Sequence, residues 1–270
     1  MNYSTKTVSL ILAAGRGSRM REFEGNKSLL PLIPDKSLYE GKCPMLLHIL
    51  KSLPSGPKGL VINYKKEDVI RSTRRSKVIY YEQPKLNGTG GALFAAREFL
   101  EKQDYDNIVI TMGDVPLVRS STYQTLLECL KDKSFAVLGF LPKSKKKYGV
   151  LEIDNDRVRR IIEWKYWHKY SKKRQQAFRV CNSGIYASKK EELLRYIQIL
   201  ASKPHMVQKE INDVPTGVKE YFITDIVKYM ADDGLLVGFV IGEDEEEVMG
   251  VDDPEALAKV QTIFCSKYAD

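Results

Sequence analysis

The chain has 270 residues, with 43 lysines and arginines against 35 acidic residues and a formal charge of +8. At roughly 150 residues per domain this is enough for one large domain or two small ones with a sizeable core, and 43% apolar with 29% charged residues excludes a disordered, collagen-like or disulfide-stapled chain. No apolar run approaches the ~20 residues that cross a bilayer, and the surplus of positive charge favours an anionic partner: nucleic acid, a membrane surface or a phosphorylated small molecule.

In chain order, Val8 to Ala14 is a short apolar run with β-branched residues and then Gly15 and Gly17, which predicts a buried strand entering a glycine-bearing loop. It is too short to be a signal peptide. A helix is expected over Met45 to Leu53, a strand at Leu60 to Asn63, a helix over Glu67 to Arg75 and a strand at Val78 to Tyr81. Gly90 to Lys102 carries Ala92, Leu93, Ala96, Phe99 and Leu100 at helical spacing, and Ile108 to Met112 reads as a fully buried strand. Such alternation predicts a doubly wound, mostly parallel sheet that binds ligands at the carboxyl ends of its strands. Phe135 to Leu141, Gly149 to Ile153 and Val158 to Glu163 are strand-like and predict an antiparallel extension. Helices are expected again at Lys189 to Ala201, Ile223 to Asp233 and Pro254 to Phe264, the last with Asp253 as N-cap and Pro254 at its first position. No internal repeat or low-complexity linker divides the chain, so one domain is expected over 1–270, with an inserted substrate-facing subregion.

Cys43, Cys129, Cys181 and Cys265 form no C-x-x-C pair and stand near no histidines at ligand spacing, which argues against a zinc site or a disulfide framework and fits a reducing cytoplasm. His48, His168 and His205 receive no role. Three segments carry chemistry. Leu12-Ala13-Ala14-Gly15-Arg16-Gly17-Ser18-Arg19-Met20 follows the first strand; its backbone N–H groups can approach phosphate oxygens, with Arg16 and Arg19 as counter-charges. It has neither G-x-G-x-x-G nor G-K-[ST] spacing, and an ordinary strand-to-helix turn is the plain alternative. In Gly113-Asp114-Val115-Pro116-Leu117 a carboxylate stands just past an apolar strand, where a Mg²⁺ shared with phosphates would partner it, or where it caps a turn. Gly250-Val251-Asp252-Asp253 holds a second acid that capping does not explain.

Taken with Lys27, Gln83 and Leu86-Asn87-Gly88-Thr89-Gly90, these segments resemble the nucleotidyltransferase fold of sugar-1-phosphate pyrophosphorylases, a Rossmann-like α/β fold. Tyr148-Gly149-Val150, Ile162-Glu163-Trp164-Lys165, Cys181-Asn182-Ser183-Gly184-Ile185, Glu220 to Asp225 and Glu247 to Asp253 come in the order of the N-acetylglucosamine-1-phosphate uridylyltransferase branch. The resemblance spans about residues 7 to 260. It implies transfer of a nucleoside monophosphate, UMP from UTP, to a sugar 1-phosphate with release of pyrophosphate. It further implies Arg19 and Lys27 as catalytic cations, and Leu12, Ala13, Ala14, Gly15, Gly17, Gln83, Gly88 and Thr89 at the nucleotide, Thr89 also lining the sugar pocket. Gly149, Glu163, Asn182 and Thr224 would then hold the sugar, and Asp114 and Asp252 would hold Mg²⁺. A cytidylyl- or other nucleotidyltransferase acting on an alcohol phosphate such as phosphocholine is the alternative within the enzymes, and a silent binding protein or nucleic-acid binder the alternative outside them. No nucleic-acid-reading motif is visible, so the expected partners are a nucleoside triphosphate and a sugar 1-phosphate.

Departures from the family are also legible. Asn26 precedes the lysine where proline is usual, Asp252 stands where the branch generally has asparagine, and Phe222 replaces a frequent tyrosine. The bifunctional members continue into a left-handed β-helix with acetyltransferase activity, for which this chain has no room, so nucleotidyl transfer alone is expected. Lys143 and Lys145 to Lys147 read as a solvated loop. The run Trp164 to Tyr170 reads either as a stacking surface or as a partly buried hairpin or interface patch.

Overall fold

A computed structural model describes residues 5–17, 19–20, 23–211 and 214–268. The first half runs β1 (Thr7–Leu12), a hairpin of β2 (Pro31–Ser37) and β3 (Glu40–Pro44), α1 (Met45–Ser52), β4 (Lys58–Ile62), α2 (Lys66–Thr73), β5 (Val78–Glu82), α3 (Thr89–Ala95), α4 (Arg97–Lys102), β6 (Asn107–Met112) and α5 (Ser120–Glu128). The second half runs β7 (Phe135–Phe140), β8 (Val150–Asp154), β9 (Arg157–Ile162), α6 (Trp164–Trp167), α7 (Lys172–Ala177), β10 (Cys181–Lys189), α8 (Lys190–Ser202), β11 (His205–Ile211), β12 (Val214–Glu220), α9 (Ile223–Asp232), β13 (Val237–Ile241) and α10 (Pro254–Tyr268).

The main sheet has the order β13-β7-β10-β6-β1-β4-β5, with β6, β1, β4 and β5 parallel and β10 antiparallel to both of its neighbours. Aliphatic side chains cover it from both sides. One apolar layer joins α3, α4, α8 and α9 to the sheet through Leu93, Phe99, Leu193 and Ile226, and the other joins α1 and α5 through Ile49 and Leu126. β1 pairs with β4 on one side and β6 on the other. The strand order reverses there, and in open α/β sheets such a reversal is where a ligand crevice forms at the strand carboxyl ends. Among the described residues no helix is long and apolar enough to cross a membrane.

Two expectations need correction. Phe135 to Leu141 is not part of an antiparallel extension: β7 lies inside the main sheet, parallel to β13, with every residue buried. Its sequence FAVLGF lacks the polar alternation of a half-exposed strand, which is the signature of a strand covered on both faces. The extension is the β8–β9 hairpin alone, joined to β10 at the Cys181–Val150 pair. Gly90 to Lys102 is two helices, interrupted at Ala96 (φ −92°, ψ 14°). The bend lets both halves keep apolar side chains on the sheet, with Leu93, Ala96, Phe99 and Leu100 fully buried.

Candidate active site

At the crevice the ends of β1 and β6 are drawn together. Gly113 N–H donates to the Leu12 carbonyl at 2.9 Å, and a Cβ on Gly113 would stand 2.8 Å from the Ala13 methyl. A side chain at 113 would therefore push Asp114 away from β1. Val251 N–H donates to the Asp114 carbonyl at 2.8 Å, tying the Asp114 loop to the segment that carries Asp252. That segment is anchored in turn by buried Glu247, whose carboxylate accepts from Arg119 N–H at 2.9 Å and from the Thr122 hydroxyl.

Lys27 reaches this junction from a 3-10 turn at Lys27–Leu29. Its ammonium contacts the Asp114 carboxylate and lies 3.1 Å from Asp252 Oδ1, while Arg19 lies 3.4 Å from Asp252 Oδ2. Burial works against the charge of Lys27, and the two carboxylates outweigh it, holding the ammonium above the usual lysine range. Asn26, in the place of the customary proline, shapes the turn: its Oδ1 accepts from Ser28 N–H at 3.0 Å and the Ser28 hydroxyl at 2.7 Å, and its Nδ2 donates to the Tyr64 carbonyl at 2.7 Å. Gly17 passes over the lysine with φ +66°, and a Cβ there would lie 3.0 Å from Lys27 Cδ. The glycine loop thus sits against the stem of Lys27, and a side chain there would press on that stem from a backbone conformation that favours glycine.

Beside the junction opens a cavity of about 560 Å³ in which Thr89, Asp114, Gly149, Glu163, Asn182, Thr224 and Asp252 come together. A bulge in β10 between Asn182 and Ile185 displaces the strand there, a device that re-aims side chains beside sites. Asn182 Oδ1 accepts from Gly184 N–H at 3.1 Å and its Nδ2 donates to the Tyr186 hydroxyl at 3.0 Å. Glu163 accepts from the Thr224 hydroxyl at 3.2 Å. Burial raises the Glu163 carboxyl above the ordinary glutamate value, with the Thr224 hydrogen bond and Lys165 pulling the other way.

Gln83, Gly88 and Thr89 stand beyond β5 and at the start of α3. Gln83 is 4% exposed, and its Nε2 donates to Gly88 O at 3.1 Å and Asn87 Oδ1 at 3.2 Å. The loop is fixed by Tyr221, which donates its N–H to Asn87 O and accepts from Gly90 N–H, and by Thr89 Oγ1, which accepts from Ile223 N–H. Leu12, Ala13 and Ala14 are buried; the Leu12 carbonyl and the Ala13 N–H are already engaged in the sheet. Gly15 is exposed and Gly17 half-buried. Ser18 lies outside the described residues. Arg19 does not line the cavity of Glu163 and Asn182 but an adjoining one, of about 660 Å³, that shares Asp252 with it.

The structure adds residues that the sequence did not single out for this cavity. Tyr148 and Tyr186 line it, and so does Lys147, read above as solvated loop, with its ammonium 5.2 Å from the Trp164 ring centre. The aromatic run resolves into two roles: Trp164 and Lys165 line the cavity, whereas Trp167 is buried and donates its Nε1–H to the Tyr148 carbonyl at 2.8 Å. Asp253 caps α10, accepting from Ala256 N–H at 2.8 Å. Asp114 and Asp252 already converge on one cation, the Lys27 ammonium, and among the described residues no group of three or more His, Cys, Asp or Glu side chains forms a metal cage. Both carboxylates line the cavity, and such a pair is of the type that would hold a hard cation taking its other ligands from water and phosphate.

Comparison with known proteins agrees with this architecture. Residues 9–169 match the family described as MobA-like NTP transferase domain. A protein named bifunctional protein GlmU from Novosphingobium aromaticivorans is 30% identical over 258 residues, 93% of this chain and 51% of the relative. The chain spans about half the length of the curated relatives it matches. Among solved structures, the uridine diphosphate N-acetylglucosamine pyrophosphorylase of Trypanosoma brucei superposes with a TM-score of 0.71 at 13% identity, over 95% of this chain and 65% of that one. A CMP:2-keto-3-deoxy-manno-octonic acid synthetase complexed with CTP superposes with a TM-score of 0.65 at 17% identity, over 97% and 100%. With a family match covering more than half of its residues and a fold shared with nucleotide-sugar enzymes, the chain belongs to the MobA-like NTP transferase family and is a nucleotidyltransferase.

Proposed function

We propose that the chain is a Mg²⁺-dependent sugar-1-phosphate uridylyltransferase, moving UMP from UTP to N-acetylglucosamine 1-phosphate or a related hexose 1-phosphate and releasing pyrophosphate. The observation that carries the reading is the meeting of Lys27, Asp114 and Asp252 at the edge of a cavity that also holds Gly149, Glu163, Asn182 and Thr224. On this reading residues 1–270 act as one unit, the nucleotide bound by the part up to about 134 and the sugar by the remainder.

The acceptor needs no general base. A phosphate monoester has a second pKa of about 6, so the attacking oxygen is already anionic at neutral pH. The protein's task is to align two polyanions and offset charge on the α-phosphoryl oxygens and the leaving pyrophosphate. Lys27 is the buried cation for the α-phosphoryl group, and Arg19, exposed beside Asp252, reaches the leaving group. Asp114 and Asp252 would hold Mg²⁺, which when bound supplies positive charge shared between carboxylate and phosphate oxygens. Asn182, Thr224 and Glu163 offer donors and acceptors to sugar hydroxyls and the N-acetyl group.

Gln83 is the group that would read the base. Both hydrogens of its amide nitrogen are committed to Gly88 O and Asn87 Oδ1, so a base contact uses its carbonyl oxygen, an acceptor. That oxygen suits the N3–H of uracil, while cytosine would meet it through its exocyclic amine, so turnover with UTP against CTP decides between the two bases. The test is pyrophosphate release from each of four nucleoside triphosphates against several sugar 1-phosphates and phosphocholine. UTP with a hexose 1-phosphate should give the highest kcat/KM; turnover confined to CTP and phosphocholine would overturn the proposal.

A further inference from the structure

A separate concave surface lies at the opposite end of the sheet. A cavity of about 600 Å³ between the carboxyl-terminal ends of α1 and α2 is lined by Lys51, Lys58, Arg71, Arg74 and Arg75, over a floor that includes Leu47 and Leu50, and no acidic side chain lines it. Lys58 opens β4, whereas the reaction crevice stands at the strand carboxyl ends, so a ligand here touches none of the residues of that site.

The cations have only partial local explanations. Lys58 donates to the Pro54 and Gly56 carbonyls at 3.0 and 3.2 Å, and Arg71 pairs with Asp68 at 3.4 Å. Basic residues also complement helix carboxyl ends. Among the described residues, however, no carboxylate stands within 4.0 Å of Lys51, Arg74 or Arg75. Exposed like charges without counter-charges repel one another across a shared hollow, and a multivalent anion relieves several of those repulsions at once. The volume falls in the range of small-molecule sites, about 300–1,000 Å³.

Both helices that bound the hollow end, at their other extremities, on the turn that carries Lys27. Met45 N–H, the first residue of α1, donates to the Leu30 carbonyl at 2.9 Å. Tyr64, just before α2, accepts from Asn26 Nδ2 at 2.7 Å and donates its hydroxyl to the Glu24 carbonyl at 3.1 Å. α1 has eight residues, a rigid rod of about 12 Å. A ligand that draws Lys51 towards Arg74 and Arg75 acts on the far ends of two rods whose near ends grip residues 24 to 30.

We propose that this cavity binds a phosphorylated small molecule carrying at least two phosphate groups, and that its occupancy alters turnover by shifting the turn that holds Lys27. The coupling half rests on the role proposed above for Lys27; the binding half does not. Inorganic tripolyphosphate is a suitable probe, titrated by calorimetry at constant ionic strength into the wild-type chain and into the exposed-surface variant Arg74→Glu/Arg75→Glu. Two molecules should bind per wild-type chain, one in the reaction crevice and one here, and one per variant chain. Competition in the crevice raises the KM for the nucleoside triphosphate and leaves kcat alone, so kcat at saturating substrate is the second readout. Tripolyphosphate should change wild-type kcat at least threefold and leave that of the variant unchanged. Equal stoichiometry in the two proteins overturns the site, and equal kcat responses overturn the coupling. Loss of binding to a single-stranded RNA oligomer in the variant, with tripolyphosphate binding retained, would assign the surface to nucleic acid instead. Were the chain to turn over no substrate pair at all, the calorimetric result would still decide the binding half.

Discussion

Replacing Lys27 by methionine keeps most of the stem under Gly17 and removes the charge between Asp114 and Asp252. The two ion pairs differ in kind. Lys27 and Asp114 retain 13% and 17% of their side-chain exposure, whereas Asp252 retains 55%, so the contact with Asp252 is screened and contributes about 0–1 kcal/mol. Losing one partner of a desolvated pair costs about 3–5 kcal/mol, and water reaching Asp114 from the cavity places this one near about 3 kcal/mol. For a chain of this size that lowers Tm by about 6–12 °C. Asp114→Asn should cost a similar amount, and the double variant Lys27→Met/Asp114→Asn should cost about 2 kcal/mol less than the sum, because it leaves neither charge unpaired at this pair. The raised pKa of Lys27 sets the pH window: its stabilisation is full below the unfolded value of 10.5 and is lost as pH rises through the folded value. The wild type and Lys27→Met should therefore converge only in alkaline solution, above about pH 10.5. The assay is denaturant unfolding of the four proteins at pH 7 and in alkaline solution above about pH 10.5, with turnover of Lys27→Met falling about 10²–10³-fold. Additivity of the two single changes within about 0.5 kcal/mol would refute the idea that these groups form one desolvated pair.

Three further outcomes follow from the same geometry. Burial raises the folded pKa of Glu163, so the ionised residue penalises the fold above the unfolded value of 4.5; Glu163→Gln should raise Tm at pH 7, lose that advantage below pH 4.5, and raise the KM for the sugar phosphate about tenfold. In Gly88→Ala the new methyl carbon meets the Tyr221 carbonyl oxygen at 2.3 Å in a residue with φ +93°; thermal unfolding should show a loss of about 1–3 kcal/mol and steady-state kinetics a higher KM for the nucleotide. Asp252→Asn keeps an oxygen that can serve as a metal ligand while discarding the charge that Arg19 and Lys27 share, so turnover should stay within about tenfold and half-saturation by Mg²⁺ should move to higher concentration.

Much of the fold was legible because strand and helix periods separate cleanly where strands are buried on both faces, as in Val8 to Leu12 and Ile108 to Met112. Elements whose formation depends on partners were not. The β2–β3 hairpin, PLIPDKS and EGKCP, has prolines and charges that read as loop; it stands because α10 covers it, with Gln261 Nε2 donating to the Pro31 and Leu38 carbonyls at 2.8 Å. β10 was quoted only as a motif, since its bulge at Asn182 breaks the period of two. At the site, residue types and order in the sequence named the groups that meet in the cavity, but spacing carried no information on which of them touch. That Asp114 and Asp252, 138 positions apart, both face Lys27 depends on the Val251 to Asp114 backbone bond. Tyr148, Trp164 and Lys165 were not recognisable as lining because aromatic residues at such spacing serve cores and interfaces equally well.

The account turns on Asp114 as the carboxylate that joins a divalent cation and a buried lysine to the reacting phosphates. Pyrophosphate release measured against free Mg²⁺, for the wild-type chain and Asp114→Ala at equal folded fraction, tests it most directly. Wild-type turnover should saturate with Mg²⁺ and vanish on chelation, while Asp114→Ala stays at least about 100-fold lower at every concentration. Wild-type rates in Asp114→Ala, or turnover that survives chelation, would contradict it.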